Sequence, residues 1–193
     1  MNTKSKKGMT IDVQPLRSAD EIETFREAIA VSSSDRYRKR NLLLFTIGVN
    51  TGLRISDIVK LRIEDVKYKT EVVIREGKTR KPRKIFLNTI MADIADYLED
   101  MPDEGWLLPS RKGDGHITTT QAYRILTKAA DYIGRSDIGT HTLRKTFGYH
   151  FYKRTKDVAT LMEIFNHDSQ STTKRYIGIR DDEIADSLKD FRL

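Results

Sequence analysis

The stretch from His141 to Tyr176 decides how the rest of this sequence is interpreted. It begins His141-Thr-Leu-Arg144, continues through an apolar helical run, and closes with His167-Asp-Ser-Gln-Ser-Thr-Thr-Lys-Arg-Tyr176. Guanidinium groups bind phosphate oxygens in a bidentate manner, imidazoles donate hydrogen bonds or move protons, and a phenol can act as a nucleophile. Each residue alone is more often a packing residue, but together they favour phosphoryl-transfer chemistry.

Two earlier segments extend this pattern. In Thr51-Gly-Leu-Arg54-Ile-Ser-Asp57, the glycine permits a sharp left-handed turn that would aim Arg54 into a cleft. Asp57 lies one helical turn further on and shares a face with Arg54, although an ordinary surface ion pair would look the same. In the second segment, Glu71-Val-Val-Ile-Arg and Arg83-Lys-Ile-Phe-Leu have the composition of strands and flank a basic turn that contains Gly77.

In the order Arg, Lys, His-x-x-Arg, His, Tyr, the chain resembles the tyrosine recombinases, the phage integrase family. The resemblance covers about Ser18 to Ile179, and the glycine that usually precedes the second histidine is Asn166 here. It implies a mixed α/β fold that is mainly α-helical, with a small antiparallel β-sheet or hairpin. This is the tyrosine recombinase catalytic-domain fold.

The resemblance also implies a covalent mechanism for three of these residues. Tyr176 would attack a DNA phosphodiester and form a 3′-phosphotyrosine, and His141 would accept or share the tyrosine proton. Lys78, directly after Gly77, would protonate the leaving 5′-oxygen. Because guanidinium does not readily release a proton, the arginines of the same turn are poor candidates for this role, and its lysines are the rivals of Lys78.

Four more residues would complete the site, three by binding the phosphate and one by supporting the arrangement. Arg54 and Arg144 would hold the non-bridging phosphate oxygens and stabilise the transition state. His167 would donate a hydrogen bond to the phosphate, and Asp57 would support the arrangement. The resemblance therefore implies six catalytic residues and one supporting residue.

Six further residues are candidates for DNA contact. Arg80, Lys81 and Arg83 belong to a hairpin that would reach the minor groove, although lysine-rich hairpins also serve to resist aggregation at sheet edges. A helix expected from Thr118 to Ile133 would lie in or near the major groove, and its candidates have the polar character of an ordinary solvated face. They are Gln121, Arg124 and Lys128.

Composition restricts the partners. The 193 residues carry 35 Lys and Arg against 28 Asp and Glu, a net charge of +7 that suits double-stranded DNA. The absence of cysteine excludes disulfides, thiolate metal sites and a catalytic thiol. No P-loop and no acidic metal cluster is evident, which predicts no cofactor and no metal. No transmembrane run or signal peptide is apparent, so we expect no membrane partner and a cytoplasmic, nucleoid-associated protein of a bacterium or phage.

We expect three segments in the chain. Residues 1–9 would form a basic flexible tail, residues 10–180 the catalytic domain, and residues 181–193 a C-terminal helix or tail. In that tail Ile184 and Leu188 would face inward, and the helix could be exchanged between protomers of a homotetramer on DNA, with accessory DNA-bending factors as further partners. The family's usual helical DNA-clamping domain has no room in this chain, which is expected of a short single-domain member or of a truncated product.

The predicted function is a site-specific DNA recombinase or integrase that needs neither metal nor ATP. Two alternatives stay open from the sequence. One is a non-catalytic or regulatory DNA-binding protein of the same fold, and the other is an activity like that of a type IB topoisomerase. Trapping of a covalent protein–DNA adduct would separate the non-catalytic protein from the two enzymes.

Overall fold

A computed structural model describes residues 12–77 and 80–192 of the chain. This part consists of α-helices and one two-stranded antiparallel sheet, with a 3-10 turn at Asn88–Ile90. The strands are β1 (Glu71–Arg75) and β2 (Pro82–Phe86). The helices are α1 (Ala19–Ser32), α2 (Asp35–Thr51), α3 (Ile55–Ile58), α4 (Ile63–Val66), α5 (Met91–Leu98), α6 (Thr119–Tyr132), α7 (Thr140–Thr155), α8 (Val158–Phe165), α9 (Gln170–Tyr176) and α10 (Ile179–Leu188). The predicted fold class is confirmed.

The ends of the first two helices follow local sequence signals. At the start of α1, the hydroxyl of Ser18 accepts a hydrogen bond from the backbone N–H of Glu21 at 3.0 Å. Helix α2 ends at Thr51 because Gly52 follows it with φ 60°, a left-handed conformation that costs glycine little. The chain then turns sharply, and Arg54 becomes the residue that precedes α3.

The hairpin has one buried and one exposed face. Val73 pairs with Lys84 in the antiparallel register, and both the neighbouring Val72 and Ile85 are buried in the core. Side chains alternate between faces with a period of two, so Val73 points to the opposite side and is exposed. The predicted first strand is confirmed at Glu71–Arg75, whereas the second begins one residue earlier than predicted, at Pro82.

Helix α7 packs closely against the segment that ends in Tyr176. A Cβ atom on Gly148 of α7 would lie 2.6 Å from Ile177 Cγ2 and 2.8 Å from the Phe165 ring. Only glycine allows this approach without a shift of its neighbours. Phe165 and Ile177 are fully buried in one apolar cluster with residues of α7. The ends of α8 and α9 are therefore held directly against α7.

Helix α10 contacts its own domain through its first turns and leaves its later apolar residues outside. Glu183 accepts hydrogen bonds from Tyr152 Oη at 2.5 Å and Lys174 Nζ at 2.9 Å. With that side chain turned inward, Ile184 and Leu188 are 49% and 58% exposed. The expectation that these two residues face inward is wrong. The predicted N-terminal tail lies outside the described residues, and the boundary at residue 180 stays a prediction. No helix in the described ranges is long and apolar enough to cross a membrane.

Candidate active site

The turn at Gly52 places Arg54 over a buried carboxylate. Arg54 precedes α3 in an extended conformation, and its Nη1 donates a hydrogen bond to Glu76 Oε2 at 2.7 Å. The Arg54 side chain is 19% exposed, so the guanidinium is largely buried and does not lie on an outer surface. The sequence suggested Asp57 as the acidic partner of Arg54, whereas the structure pairs Arg54 with Glu76.

Arg144 is almost completely buried, with 3% of the residue exposed. Its Nη1 donates to the carbonyl of Gly52 at 2.6 Å, its Nη2 donates to the carbonyl of Phe165 at 2.9 Å, and its guanidinium lies 4.2 Å from the Phe165 ring centre. Burial lowers the pKa of Arg144 to about 10, so the group keeps its positive charge at neutral pH. This side chain ties α7 to the turn after α2 and to the end of α8.

Tyr176, the last residue of α9, has its hydroxyl 3.0 Å from His141 Nδ1. Burial raises the pKa of the Tyr176 phenol, and the positive charges of Arg144 and Arg54 partly oppose that rise. The phenol is therefore protonated at neutral pH. An attack by its oxygen requires a proton acceptor, and His141 is within reach.

His167 lies beside the same phenol and is oriented by a buried hydroxyl. Its ring centre is 5.3 Å from that of Tyr176, and its Nδ1 is 3.1 Å from Thr173 Oγ1. The preceding residue, Asn166, ends α8 in the left-handed conformation with φ 48°. Asparagine is the residue that most often replaces glycine in this conformation, which explains why Asn166 can stand where the family usually has glycine.

The side chain of Asp57 contacts the hairpin and not the side chain of Arg54. The residue is 5% exposed, and its Oδ1 accepts a hydrogen bond from the backbone N–H of Gly77 at 3.0 Å. Its Oδ2 is buried without a hydrogen-bond partner among the described residues. Asp57 therefore anchors the start of the turn after β1, while Glu76 provides the ion pair to Arg54. Lys78, the predicted general acid, lies outside the described residues.

The three candidate DNA contacts of the hairpin separate into two groups. Arg80 and Lys81 are exposed, and Lys81 Nζ donates a hydrogen bond to Asn166 Oδ1 at 3.2 Å. The side chain of Arg83 is only 13% exposed and donates through Nη2 to the carbonyl of Thr51 at 2.7 Å. Its Nη1 is 3.4 Å from Glu76 Oε1. Arg83 thus lies within the same buried cluster as Arg54 and Arg144.

The three candidates of α6 also differ in their surroundings. Gln121 closes the N-terminus of α6, where its Oε1 accepts a hydrogen bond from the backbone N–H of Thr118 at 2.7 Å. Lys128 Nζ donates to the carbonyl of Ser32 in α1. Arg124 is exposed on the helix surface. DNA contact by these residues stays a prediction, and Arg124 has the surroundings that fit it best.

Glu76 is the residue that inspection of the sequence missed. It is the one acidic side chain in the basic segment between β1 and β2, and it is 3% exposed. The sequence feature that could have indicated Glu76 is its position as a single acidic residue next to Gly77. Among the described residues, no group of three or more His, Asp or Glu side chains is arranged to hold a metal ion.

Comparisons with known proteins agree on one family. The sequence model of the phage integrase family matches residues 17–183. "Probable integrase/recombinase YoeC" of Bacillus subtilis is 45% identical over 180 residues, which cover 93% of this chain and 97% of that protein. "Tyrosine recombinase XerA" of Pyrococcus furiosus is 28% identical over 172 residues, which cover 86% of this chain and 59% of XerA. The chain therefore spans nearly all of YoeC but less than two thirds of this Xer relative.

Solved structures show the same fold. The crystal structure of XerA recombinase superimposes with a TM-score of 0.72 at 23% identity, and covers 95% of this chain and 68% of that one. The XerH recombinase in a post-cleavage complex with its palindromic difH substrate gives a TM-score of 0.71 at 23% identity, over 97% of this chain and 55% of that one. The fold of the described residues is therefore that of the tyrosine recombinase catalytic domain.

Proposed function

The chain belongs to the phage integrase family of tyrosine recombinases, and we propose that it breaks and rejoins DNA through a covalent bond between Tyr176 and a 3′-phosphate. The observation that carries this proposal is the position of the Tyr176 hydroxyl. It lies 3.0 Å from His141 Nδ1 and within the field of Arg144 and Arg54. A half-buried phenol with a neighbouring base and two neighbouring cations is equipped to attack a phosphodiester.

In the proposed step, the Tyr176 oxygen forms a bond to phosphorus while the bond from phosphorus to the 5′-oxygen breaks. The phenol proton passes to His141, and Lys78 gives a proton to the 5′-oxygen. Rejoining runs the same step backwards, with a 5′-hydroxyl as the attacking group. The phosphotyrosine bond conserves the energy of the broken phosphodiester, so the exchange balances without a further reactant.

The arginines stabilise the charge that develops on the phosphate. Within the described structure, Arg54 donates to Glu76 through Nη1, which leaves Nη2 and Nε as a side-on pair for two phosphate oxygens. Arg144 supplies a fixed charge from within the protein, because two carbonyls hold its guanidinium in place. Removal of a fixed donor of this kind typically slows catalysis by about 10²–10³-fold. His167 completes the set as a hydrogen-bond donor to the phosphate.

Trapping of the covalent adduct tests this proposal without knowledge of the target sequence. The protein is mixed with a pool of nicked duplexes of randomised sequence, and DNA that stays attached in SDS is recovered and sequenced. The wild-type protein should yield an adduct with a recoverable sequence preference, referred to below as the recovered duplex. Tyr176→Phe should bind this duplex and form no adduct. Tyr132→Phe, at an exposed tyrosine at the end of α6, is the matched control and should react normally.

Two outcomes of the trapping assay would contradict the proposal. Absence of any adduct with the wild-type protein, despite measurable DNA binding, would favour the non-catalytic DNA-binding protein. A normal adduct yield from Tyr176→Phe would assign the nucleophile to another residue. A separate assay on supercoiled DNA distinguishes the two enzymes. Relaxation without exchange of strands between two duplexes would favour the topoisomerase-like activity.

We also propose that the protein assembles as a homotetramer on DNA through its C-terminal tail. The tail leaves Ile184, Leu188 and Phe191 exposed, at 49%, 58% and 66%. A groove of about 990 Å³ lies between the end of α2, β2, α7 and α8, and its lining includes Phe147 and Phe151. An apolar helix face of one copy fits an apolar groove of the next, and such a head-to-tail contact forms a ring when the rotation between copies closes.

Charge complementarity favours the tail as the occupant of this groove. Lys84, Lys153 and Arg154 are among its lining residues, and the exposed acidic residues Asp186 and Asp190 lie in the tail. Removal of residues 184–193 should leave binding of one protomer to a half-site unchanged and abolish tetramers on the recovered duplex in sedimentation experiments. Phe151→Asp, on the groove side, should have the same effect. Tetramers that persist in both variants would refute the docking.

A further inference from the structure

The carboxylate of Glu76 contacts two arginines with different oxygens. Its Oε2 accepts from Arg54 Nη1 at 2.7 Å, and its Oε1 lies 3.4 Å from Arg83 Nη1. The residue is 3% exposed. Burial of a carboxylate costs free energy unless it is paired and hydrogen-bonded, so Glu76 and the two arginines hold one another in place.

The backbone of Glu76 closes the turn between the two strands. Its N–H donates to the carbonyl of Lys81 at 3.1 Å, and its carbonyl accepts from the N–H of Arg80 at 2.9 Å. The backbone N–H of the next residue, Gly77, donates a hydrogen bond to Asp57 Oδ1. Glu76 thus joins Arg54, through its side chain, to the base of the turn whose sequence contains Lys78. Two parts of the proposed cleavage machinery meet at this residue.

Glu76 also offsets a concentration of positive charge. The pKa of Arg144 is lowered first by burial and then by the charges of Arg83 and Arg54, whereas Tyr176 and, to a smaller extent, Glu76 raise it. The three guanidinium groups therefore repel one another across one small region, and Glu76 is a negative charge that counters this repulsion. A phosphate bound in the cleft would add a second negative charge.

We propose that Glu76 is a positioning residue for DNA cleavage, an inference that rests on the function proposed above. Its carboxylate fixes Arg54 beside Arg83, so that the remaining donors of Arg54 are oriented toward the scissile phosphate. It also serves as the counter-ion of the three arginines until that phosphate is bound. Arg83 helps to hold the Glu76 carboxylate in place, and it acts through Glu76 and not by contact with DNA.

Three variants separate positioning from a merely structural ion pair. Glu76→Gln keeps the size and one hydrogen-bond acceptor but removes the charge, and Glu76→Asp keeps the charge but retracts the carboxylate. Glu71→Gln is the matched control, because Glu71 lies in the same hairpin and pairs with Lys84 at 2.9 Å with both side chains about half exposed. An exposed pair of this kind contributes little to stability.

The first measurement is the single-turnover rate of adduct formation on the recovered duplex at saturating protein. A displacement of about 1 Å can cost on the order of 10²-fold in rate, so Glu76→Gln should slow cleavage by about 10-fold to 10²-fold. Its affinity for the duplex should change far less than its rate. Glu76→Asp should fall between Glu76→Gln and the wild type, and Glu71→Gln should match the wild type. A wild-type rate for Glu76→Gln would overturn the proposal.

The second measurement is thermal unfolding with and without inorganic sulfate, which needs no DNA and therefore tests Glu76 even if the proposed function fails. Without their counter-ion, the three arginines should bind sulfate more tightly, so sulfate should raise the melting temperature of Glu76→Gln more than that of the wild type or of Glu71→Gln. Equal sulfate shifts in all three proteins would refute the counter-ion role. If Glu76→Gln does not fold, Glu76→Asp replaces it in the rate measurement, and a wild-type rate there would overturn the positioning role.

Discussion

Two sets of cations in this protein carry the same charge in different surroundings. Arg54, Arg83 and Arg144 lie in the buried cluster around Glu76, with side chains 19% and 13% exposed for the first two and 3% of Arg144 exposed. Arg80 and Arg124, by contrast, are exposed residues of the hairpin and α6. Buried charges act at short range in a medium that screens them weakly, whereas exposed charges are screened by water and salt.

This difference teaches that a count of basic residues does not reveal what each one does. Fixed guanidinium groups can hold a single phosphate in one geometry, because their own partners restrain them. Exposed cations neutralise backbone phosphates with little geometric demand and contribute mainly to salt-dependent affinity. The following variants test which cations belong to the fixed, buried set and which to the exposed set, in order of decreasing expected effect.

The largest effect is expected at Lys78, whose sequence position in a basic turn would class it with the exposed cations. If it is the general acid, Lys78→Ala should slow cleavage by about 10²–10⁴-fold. Replacement of the 5′-bridging oxygen by sulfur should restore the rate, because a thiolate leaves without protonation. The measurement is the single-turnover cleavage rate on both substrates.

Lys81→Ala and Lys84→Ala are the controls for this rescue, since both are lysines of the same hairpin. If sulfur rescues one of them and not Lys78→Ala, the role of general acid moves along the hairpin. If sulfur rescues none of the three, the acid lies elsewhere in the protein.

The next effect is expected at Arg144, within the buried set. Arg144→Ala should slow cleavage by about 10²–10³-fold, as expected for loss of a fixed donor to the transition state. Sulfur substitution should give no rescue, because the defect concerns phosphate charge and not the leaving group. The same phosphorothiolate assay measures this, and rescue of Arg144→Ala would contradict its assignment to the phosphate.

Arg83 and Arg80 give the most direct test of the division, because the sequence predicted DNA contact for both. Arg83→Met breaks a buried ion pair and should destabilise the protein by about 3–5 kcal/mol in urea denaturation. Arg80→Met should change the free energy of unfolding by less than about 0.5 kcal/mol. For DNA binding the order reverses. Arg80→Met should reduce the slope of log affinity against log salt by about 0.9, while Arg83→Met leaves it unchanged.

The smallest effect is expected at tyrosines whose phenol pKa is raised by burial, and it is a loss of stability at alkaline pH. Burial raises the pKa of Tyr97 to about 12 and also raises that of Tyr176, against about 10 in the unfolded chain. A raised folded-state pKa stabilises the native protein fully below pH 10, and this contribution is lost as pH rises toward 12. The free energy of unfolding from urea titrations should therefore fall over this window. Tyr97→Phe should show a shallower fall, and an unchanged slope would contradict the burial of its phenol.

Much of the fold and part of the site could be predicted because the signals are local. The break at Gly52 depends on residues within a few positions of the helix end, and this prediction is confirmed. Amphipathic periodicity failed for Ile184 and Leu188, because a periodic stripe shows that a helix has an apolar face but not which face meets the domain. The contacts of Glu183 decided that orientation.

The sequence by itself determined which chemical groups are available and in what order, from Arg54 to Tyr176, and this was enough to predict the family and the fold. Only the tertiary structure decided which groups become partners. Arg54 pairs with Glu76, 22 residues away, and not with Asp57 one turn along its own helix. The physical reason is burial. Once the hairpin packs against the turn at Gly52, each buried charge must find a partner within a few ångströms, and the approach of distant segments fixes which one is there.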